Sequence, residues 1–374
     1  MQTKLIIITD SLNNWKDIDL KDRFQYLNWV NKPIYILSPH LEEKQWKLFV
    51  KEMQWIKKYL EQLKQLKKQS IKQNFNILNW DITNFIKGLD SSFIFYDMDK
   101  FLEYDNTIKL INKYNNNAII KNYWISEINN KEKNDILLKE FKRNNKTIKL
   151  IQNIWNEIIT NKVQFNFEKQ KWKVFKITNW SQWDWVYLIN KENKKTILDL
   201  LENNKNNDKF IIQENIENDW TFRFLFSYNS ITNKWFFFIY RRNKAKNKFL
   251  DNIHKWNDDI SFIWHIWFKI VDNQVKFIQS EIKLNIDILK TTKYENVKKV
   301  LWFKDYKDIL LQTSNELTQF ILDYNKKVNN KKHYFIVIWF DIFIEKQWVY
   351  LLETNLFPWT KWIRKYWYSF YDLI

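Results

Sequence analysis

Lys176 stands near the end of an apolar run and is followed by Asn179-Trp180-Ser181-Gln182-Trp183-Asp184-Trp185, after which the chain turns apolar again at Val186. Far downstream, Asp341 lies in Trp339-Phe340-Asp341-Ile342-Phe343, and Glu353-Thr354-Asn355 closes the next apolar stretch. Glu353 and Asn355 are two residues apart and share one face of an extended strand. With Asp341 they supply hard oxygen donors, the kind that suit Mg²⁺ and its phosphate ligands. A strand lysine before a turn that re-enters a strand has the layout of a phosphate cradle, where consecutive N–H groups converge on an anion. Such a cradle needs glycine, because a Cβ would stand between backbone and phosphate. This loop has three tryptophans instead.

The anomaly runs along the whole chain, which has 22 tryptophans and one glycine in 374 residues. Together they come close to the usual glycine share of about 7%. The tryptophans also keep glycine's company, in Asn14-Trp15-Lys16, Asn79-Trp80-Asp81, Asn179-Trp180-Ser181, Asp219-Trp220 and Pro358-Trp359. Asn, Asp and Pro beside glycine make turns for definite physical reasons, and beside tryptophan they have none. The expectation is that most of these positions are glycine in the native protein. Some bacterial lineages read UGA as glycine, and a common alternative translation table reads it as tryptophan. Runs of Lys, Asn and Ile, with alanine only at Ala118 and Ala245 and proline only at Pro33, Pro39 and Pro358, fit an extremely AT-rich gene. The competing reading is a Trp-rich stacking platform for sugars or single-stranded nucleic acid.

The elements that must hold these residues read as strands and helices in alternation. Residues 4–9 and 34–37 form short buried strands, a helical stretch covers about 41–69, and a strand covers 92–96, which together make an α/β unit ending near residue 97. Residues 100–116 carry helical spacing at Phe101, Tyr104, Ile108 and Ile111. A strand at 118–121 and a helix around 147–160 come next. From Lys173 the period changes to two. Strands at 173–178, 186–190, 210–213, 222–228 and 235–240, with a helix at 196–204, form an antiparallel set. Residues 257–304 read as an insertion built on a hairpin, 262–271 and 274–279. A helix at 305–328 and strands at 334–344 and 348–354 complete a chain of mixed α+β and α/β class.

Length allows two or three domains. Net charge +18 and a pI near 9.5 raise the question of nucleic acid. AT-rich coding puts lysine at surface positions, though, and these lysines are scattered instead of forming a basic tail or recognition helix. That argues against nucleic acid as the partner. No cysteine is present, which excludes disulfides, thiolate zinc sites and a cysteine nucleophile. No apolar run reaches signal-peptide or membrane-spanning length, so a cytoplasmic protein without a membrane partner is expected. Taken singly, Lys176 reads as a surface strand lysine, Asp341 as a turn or cap and His254 as a loop residue. His40, His265 and His333 have no partner at ligand spacing and read as structural.

Taken in order, these segments resemble the ATP-grasp superfamily, most of all the ribosomal-protein glutamate ligases and glutathione synthetases. Five motifs over roughly 97–366 carry the resemblance. Met98-Asp99-Lys100 is similar to the family's opening lysine motif, and Lys176 with the 180–185 loop to its phosphate clamp. Ile211-Ile212-Gln213-Glu214-Asn215-Ile216 resembles the adenine hinge, with Arg223 in the following strand. Arg241-Arg242 and Asn252-Ile253-His254 precede the motif that holds Asp341, Glu353 and Asn355.

The resemblance implies an ATP-grasp fold of two α+β subdomains clasping ATP, residues 98–215 and 216–374, after a pre-ATP-grasp domain at 1–97. It implies Lys100, Lys176, Ser181, Gln182 and Trp183 on the phosphates, the last read as glycine. Gln213, Glu214, Asn215 and Ile216 would lie at adenine, with Asp219 and Arg223 as further nucleotide contacts. Asp341, Glu353 and Asn355 would lie on two Mg²⁺ or Mn²⁺ ions, and Arg242 and Asn252 at the transferred phosphate and acceptor carboxylate. The implied activity joins a small-molecule or peptide carboxylate to an amine through an acyl phosphate. Three departures stand against the pattern. Thr221 replaces a frequent Asp and leaves the ribose contact to Glu217 or Asp219, Leu250 replaces a usual arginine, and 257–304 has no counterpart. Two alternatives remain beside the ligase, a polyanion-binding protein and an ATP-grasp chain that binds nucleotide without catalysis.

Overall fold

A computed structural model of the chain describes residues 5–9, 33–37, 40–50, 75–78, 80–89, 93–97, 101–120, 131–145, 150–152, 154, 156–177, 186–204, 208–216, 220–243, 260–271, 274–284, 295–329, 333–345 and 348–355. The apolar runs at the start build a parallel sheet, as expected for strands buried on both faces. Its elements are β1 (Leu5–Thr9), β2 (Ile34–Leu37), the hairpin β3 (Leu41–Lys44) and β4 (Lys47–Val50), β5 (Phe75–Leu78), α1 (Thr83–Lys87), β6 (Phe93–Asp97), α2 (Phe101–Tyr114) and β7 (Ile119–Ile120). The parallel strand order is β5-β2-β1-β6-β7, with β3 and β4 paired apart. Ile86 of α1 and Ile108 and Ile111 of α2 share one core with Leu37 and Leu48. Glu43 on the hairpin accepts from Lys113 Nζ at 2.7 Å and from the Tyr114 hydroxyl at 2.9 Å, which ties the hairpin to α2. Lys113 and Tyr114 hold the Glu43 carboxyl below its ordinary range. Burial, and then Glu43, push the Tyr114 phenol up to about 12.

Two expectations change here. The stretch 41–50 is a hairpin and not the start of a helix, because Leu41, Leu48 and Val50 are buried at alternating positions and a two-residue turn at Gln45-Trp46 reverses the chain. The first unit also extends beyond residue 97, since α2 packs in its core and β7 pairs with β6.

A second, antiparallel sheet follows. The next elements are α3 (Lys131–Asn144), β8 (Ile151–Gln152), β9 (Asn156–Ile159), α4 (Phe167–Gln170), β10 (Val174–Ile177), β11 (Val186–Leu188), α5 (Lys194–Glu202) and β12 (Phe210–Gln213). Strands β11-β10-β12-β9 form this sheet. Phe175, Ile177, Phe210 and Ile212 cover one face against Ile197 and Leu201 of α5. The opposite face presents Lys176, Ile211, Gln213 and Asn156.

The third and largest layer comprises β13 (Trp220–Asn229), β14 (Lys234–Asn243), β15 (Ile260–Val271), β16 (Gln274–Leu284), the 34-residue helix α6 (Glu295–Val328), β17 (Phe335–Glu345) and β18 (Trp348–Asn355). The strand order is β16-β15-β14-β13-β17-β18-β8. Phe222, Phe224, Phe226, Phe237, Ile338 and Phe340 pack in one core with Leu310, Leu317 and Ile321 of α6. The hairpin inside 257–304 is therefore the edge strand of this sheet, β16, and its neighbour β15.

The helix expected at 147–160 is absent, and β8 and β9 stand in its place. Its isoleucines go to separate sheets, Ile151 beside β18 and Ile158 beside β12. Residues 131–152, expected with the first subdomain, pack on the large sheet, where Leu138, Phe141 and Ile151 join its core. Glu316 of α6 fastens that arrangement. Its carboxylate, only 4% exposed, accepts from the backbone N–H of Leu150 at 3.0 Å and of Ile151 at 2.9 Å. Nearby, burial pushes the Lys142 ammonium down, and Glu316 opposes the shift. Glu316→Ala leaves two backbone donors without their charged acceptor, so stability is expected to drop by about 3 kcal/mol. A urea unfolding midpoint that moves with its slope unchanged is the check.

Candidate functional site

The register of β14, β13, β17 and β18 aligns the predicted residues in rows across the large sheet. Tyr240, Arg223, Asp341 and Glu353 are successive cross-strand partners. Arg242, Thr221 and Phe343 form the row to one side, and Phe238, Leu225, Trp339 and Asn355 the row to the other. Directly paired residues point to the same side of a sheet. Arg223, Asp341 and Glu353 therefore all belong to the face opposite α6, with Arg242 and Asn355 at register positions one row away on either side.

A β-bulge makes this possible. Asp341 pairs with Glu353, but Ile342 pairs with Leu351, so β18 has one extra residue at that point. Without it, Leu351 and Glu353 would share a face, because side chains alternate with period two. The bulge lets Leu351 enter the core beneath α6 and turns Glu353 to the face of Asp341. Bulges are frequent where a strand must re-aim a functional side chain.

Asp341 is 4% exposed, and its charge is compensated. Arg223 Nη2 donates to Asp341 Oδ2 at 2.7 Å, and Arg223 Nε donates to Oδ1, a bidentate pair. The guanidinium also lies over the Trp339 ring, 4.1 Å from its centroid. Among the described residues no group of three His, Cys, Asp or Glu could hold a metal ion. Mg²⁺ usually takes only one or two protein carboxylates and fills its remaining positions with water and phosphate oxygens. Asp341 and Glu353, opposite one another on neighbouring strands, fit that need, and a carboxylate keeps lone pairs beyond the two that Arg223 engages.

The polar face of the four-stranded sheet borders a cleft whose far wall is β18 and α3. Lys176, Ile211, Gln213 and Asn156 line it from one side, Leu351 and Leu352 from another, and Asn134, Asp135 and Leu138 from α3. Its cavity volume is about 20 Å³, room for about one water molecule. Lys176 and Gln213 are both buried, as residues of this wall and not of the open surface. Beyond Gln213 the hinge segment runs from exposed Glu214 through half-buried Asn215 to buried Ile216. The strand that carries Glu353 and Asn355 thus forms part of the same cleft as Lys176 and Gln213.

Lys100, Ser181, Gln182, Trp183, Asp219 and Asn252 lie outside the described residues. Arg242 and Asn355 are placed by their strand positions. Helix α2, which begins directly after Lys100, packs in the first unit. Three polar lining residues escaped sequence reasoning, Asn134, Asp135 and Asn156. They belong to no motif, and only the pairing of β9 with β12 and the docking of α3 beside β18 bring them to the cleft.

No protein-family model and no curated protein matches the chain. Several solved structures are similar to it in shape. One is the ADP complex of N5-carboxyaminoimidazole ribonucleotide synthetase, with a TM-score of 0.47 and 11% identity over 96% of this chain and 70% of that one. Another is D-alanine–D-alanine ligase from Bacillus anthracis complexed with ATP, with a TM-score of 0.43 and 11% identity over 96% and 87%. A third is a macrocyclase from Microcystis aeruginosa bound with its precursor peptide, with a TM-score of 0.43 and 10% identity over 96% and 94%. No helix among the described residues is long and apolar enough to cross a membrane.

Proposed function

We propose that this chain is an ATP- and Mg²⁺-dependent carboxylate–amine ligase of the ATP-grasp type, most like the ribosomal-protein glutamate ligases and glutathione synthetases. The observation that carries the reading is the cross-strand row Arg223-Asp341-Glu353 across three strands, the last of which, β18, also walls the cleft of Lys176 and Gln213 through Leu351 and Leu352. Phosphoryl transfer asks a protein mainly for positioning and charge neutralisation. Lys176 contributes a cation on a rigid strand, and the loop after it contributes backbone N–H groups. Asp341, Glu353 and Asn355 would hold Mg²⁺, which neutralises phosphate charge when bound. Arg223 orients the Asp341 carboxylate through its two hydrogen bonds, and Arg242, one register row away, would supply a second cation for the transferred phosphate. A carboxylate substrate attacks the γ-phosphate of ATP to give an acyl phosphate and ADP. An amine then displaces phosphate to form the amide.

We also infer that most of the tryptophans are native glycines, and backbone geometry at three of them, outside the 180–185 loop, supports this. Five non-glycine residues among those described have positive φ, and three are tryptophans, Trp46 (61°), Trp80 (63°) and Trp172 (69°). Trp46 is the second residue of a two-residue hairpin turn, where glycine dominates. Trp172 follows the C-cap of α4, the left-handed position that glycine fills at helix ends. All three indoles point into solvent, 80%, 64% and 60% exposed. Lys113 lies over the Trp46 ring, Phe49 beside Trp80 and Lys171 over Trp172, but most of each ring still faces water.

The test of the ligase reading is ADP release with Mg-ATP across pairs of amino acids and peptides. The expected result is ADP formation that needs both a carboxylate and an amine. Nucleotide-independent binding of polyanions that weakens steeply with salt would replace the ligase by the polyanion reading.

A further inference from the structure

We infer that β16 is an association edge, through which two copies of the chain pair antiparallel and join their large sheets into one. This stands apart from the ligase reading, and β16 itself contains no tryptophan. The strand is 11 residues long and ends the order β16-β15-β14-β13-β17-β18-β8. Among the described residues it pairs with β15 alone. Its other edge is a row of backbone N–H and C=O groups, which is a template for a further strand. Antiparallel pairing along that row forms roughly eight hydrogen bonds, as many as a stable protein interface usually carries.

Charge complementarity makes a second copy the occupant. Trp267 pairs with Gln279 and Phe268 with Phe277, so Ile278 is a bulge residue and takes no ladder position. Lys276 and Glu281 are then an even number of ladder positions apart, although five apart in sequence. A two-fold axis between antiparallel strands pairs only such residues, because an odd separation would set opposite faces of the sheet against each other. Centred on Gln279, the axis sets Lys276 opposite Glu281 twice, Val275 opposite Ile282 twice, and Gln274 opposite Lys283. No like charges meet. Centred one position on, at Ser280, it would set Lys276 against Lys283 twice, and centred on Phe277 it would leave 282–284 outside the pairing. Edge lysines and bulges commonly keep strands apart. Here the bulge brings each lysine into register with a glutamate, and opposite charges facing across strands favour pairing.

Analytical ultracentrifugation of the full chain over a range of concentrations tests this, and the expected result is twice the single-chain mass of 46.8 kDa. Lys276→Glu and Glu281→Lys each set like charges opposite one another at two places, so each should weaken association by at least about tenfold. Mixed in equal amounts, the two variants should recover the double mass, because every charged pair across the mixed interface then joins opposite signs. The chain carrying both exchanges should dimerise for the same reason. Recovery on mixing also shows that each variant folds. A single-chain mass at the highest attainable concentration overturns the inference, and so does a dimer that both substitutions leave intact. Variants that stay monomeric when mixed, together with a doubly exchanged chain that stays monomeric, overturn it too.

Discussion

Placing glycine at 180, 183 and 185, and also at 220, 256, 339, 359 and 362, should turn a chain that fails to bind Mg-ATP into one that binds it, a gain of at least about 100-fold in affinity, or ~2.7 kcal/mol. By the family resemblance the backbone of this loop must approach phosphate, which three indoles would obstruct, and a side chain forced into left-handed geometry costs about 1–2 kcal/mol besides. A separate readout avoids nucleotide altogether. Trp172 has φ 69° and an exposed ring. Trp172→Gly should therefore stabilise the fold by about 1 kcal/mol, whereas Trp172→Ala, which keeps the Cβ in the same backbone region, should not. Intact mass of the protein from its own host completes the set. A mass matching 22 tryptophans, or tight ATP binding by the tryptophan form, would end the glycine reading.

Glu353→Gln should abolish turnover while leaving the fold intact, and Asp341→Asn should unfold the protein as well as inactivate it. The two residues face each other across β17 and β18, yet their surroundings differ. Asp341 is buried in a bidentate pair with Arg223, whose side chain is 14% exposed. Removing its charge leaves a guanidinium buried without its partner, at a cost of about 3–5 kcal/mol. An apolar replacement of both, Arg223→Met with Asp341→Leu, should restore most of that stability and none of the activity. Glu353 is half-buried, and losing its charge removes a metal ligand rather than a buried ion pair. A rate loss of about 10³-fold or more, with an unchanged unfolding midpoint, is expected. Lys176→Ala should act chiefly on nucleotide affinity. Full activity in both Glu353→Gln and Lys176→Ala would show the site to be misplaced.

Local pattern carried far in this chain because most of its strands are short apolar runs whose burial is decided by their own side chains. The strands at Leu5–Thr9, Ile34–Leu37, Val174–Ile177 and Phe210–Gln213 and the hairpin of β15 and β16 were legible for that reason. The sequence also offers hard oxygen donors at Asp341, Glu353 and Asn355 and a lysine before a turn-like loop, and the proposed function builds on these. Two misreadings have specific causes. Lys44-Gln45-Trp46-Lys47 is a hairpin signal only when Trp46 is read as glycine, and otherwise 41–50 blends into a helix. Ile151, Ile154 and Ile158 match helical spacing equally well, and pairing with distant strands decides against it.

What the sequence by itself determined is the kind of chemistry available, since donor type and strand period are properties of a few neighbouring residues. The tertiary structure alone decided which of those residues meet. Arg223 reaches Asp341 across 118 positions of chain, and Glu353 joins their face through a one-residue bulge that no local spacing encodes. Asn134 and Asn156 come to the cleft with no motif at all. Register and bulges minimise the free energy of a whole sheet and its core, so they depend on every strand at once and cannot be read from any one of them.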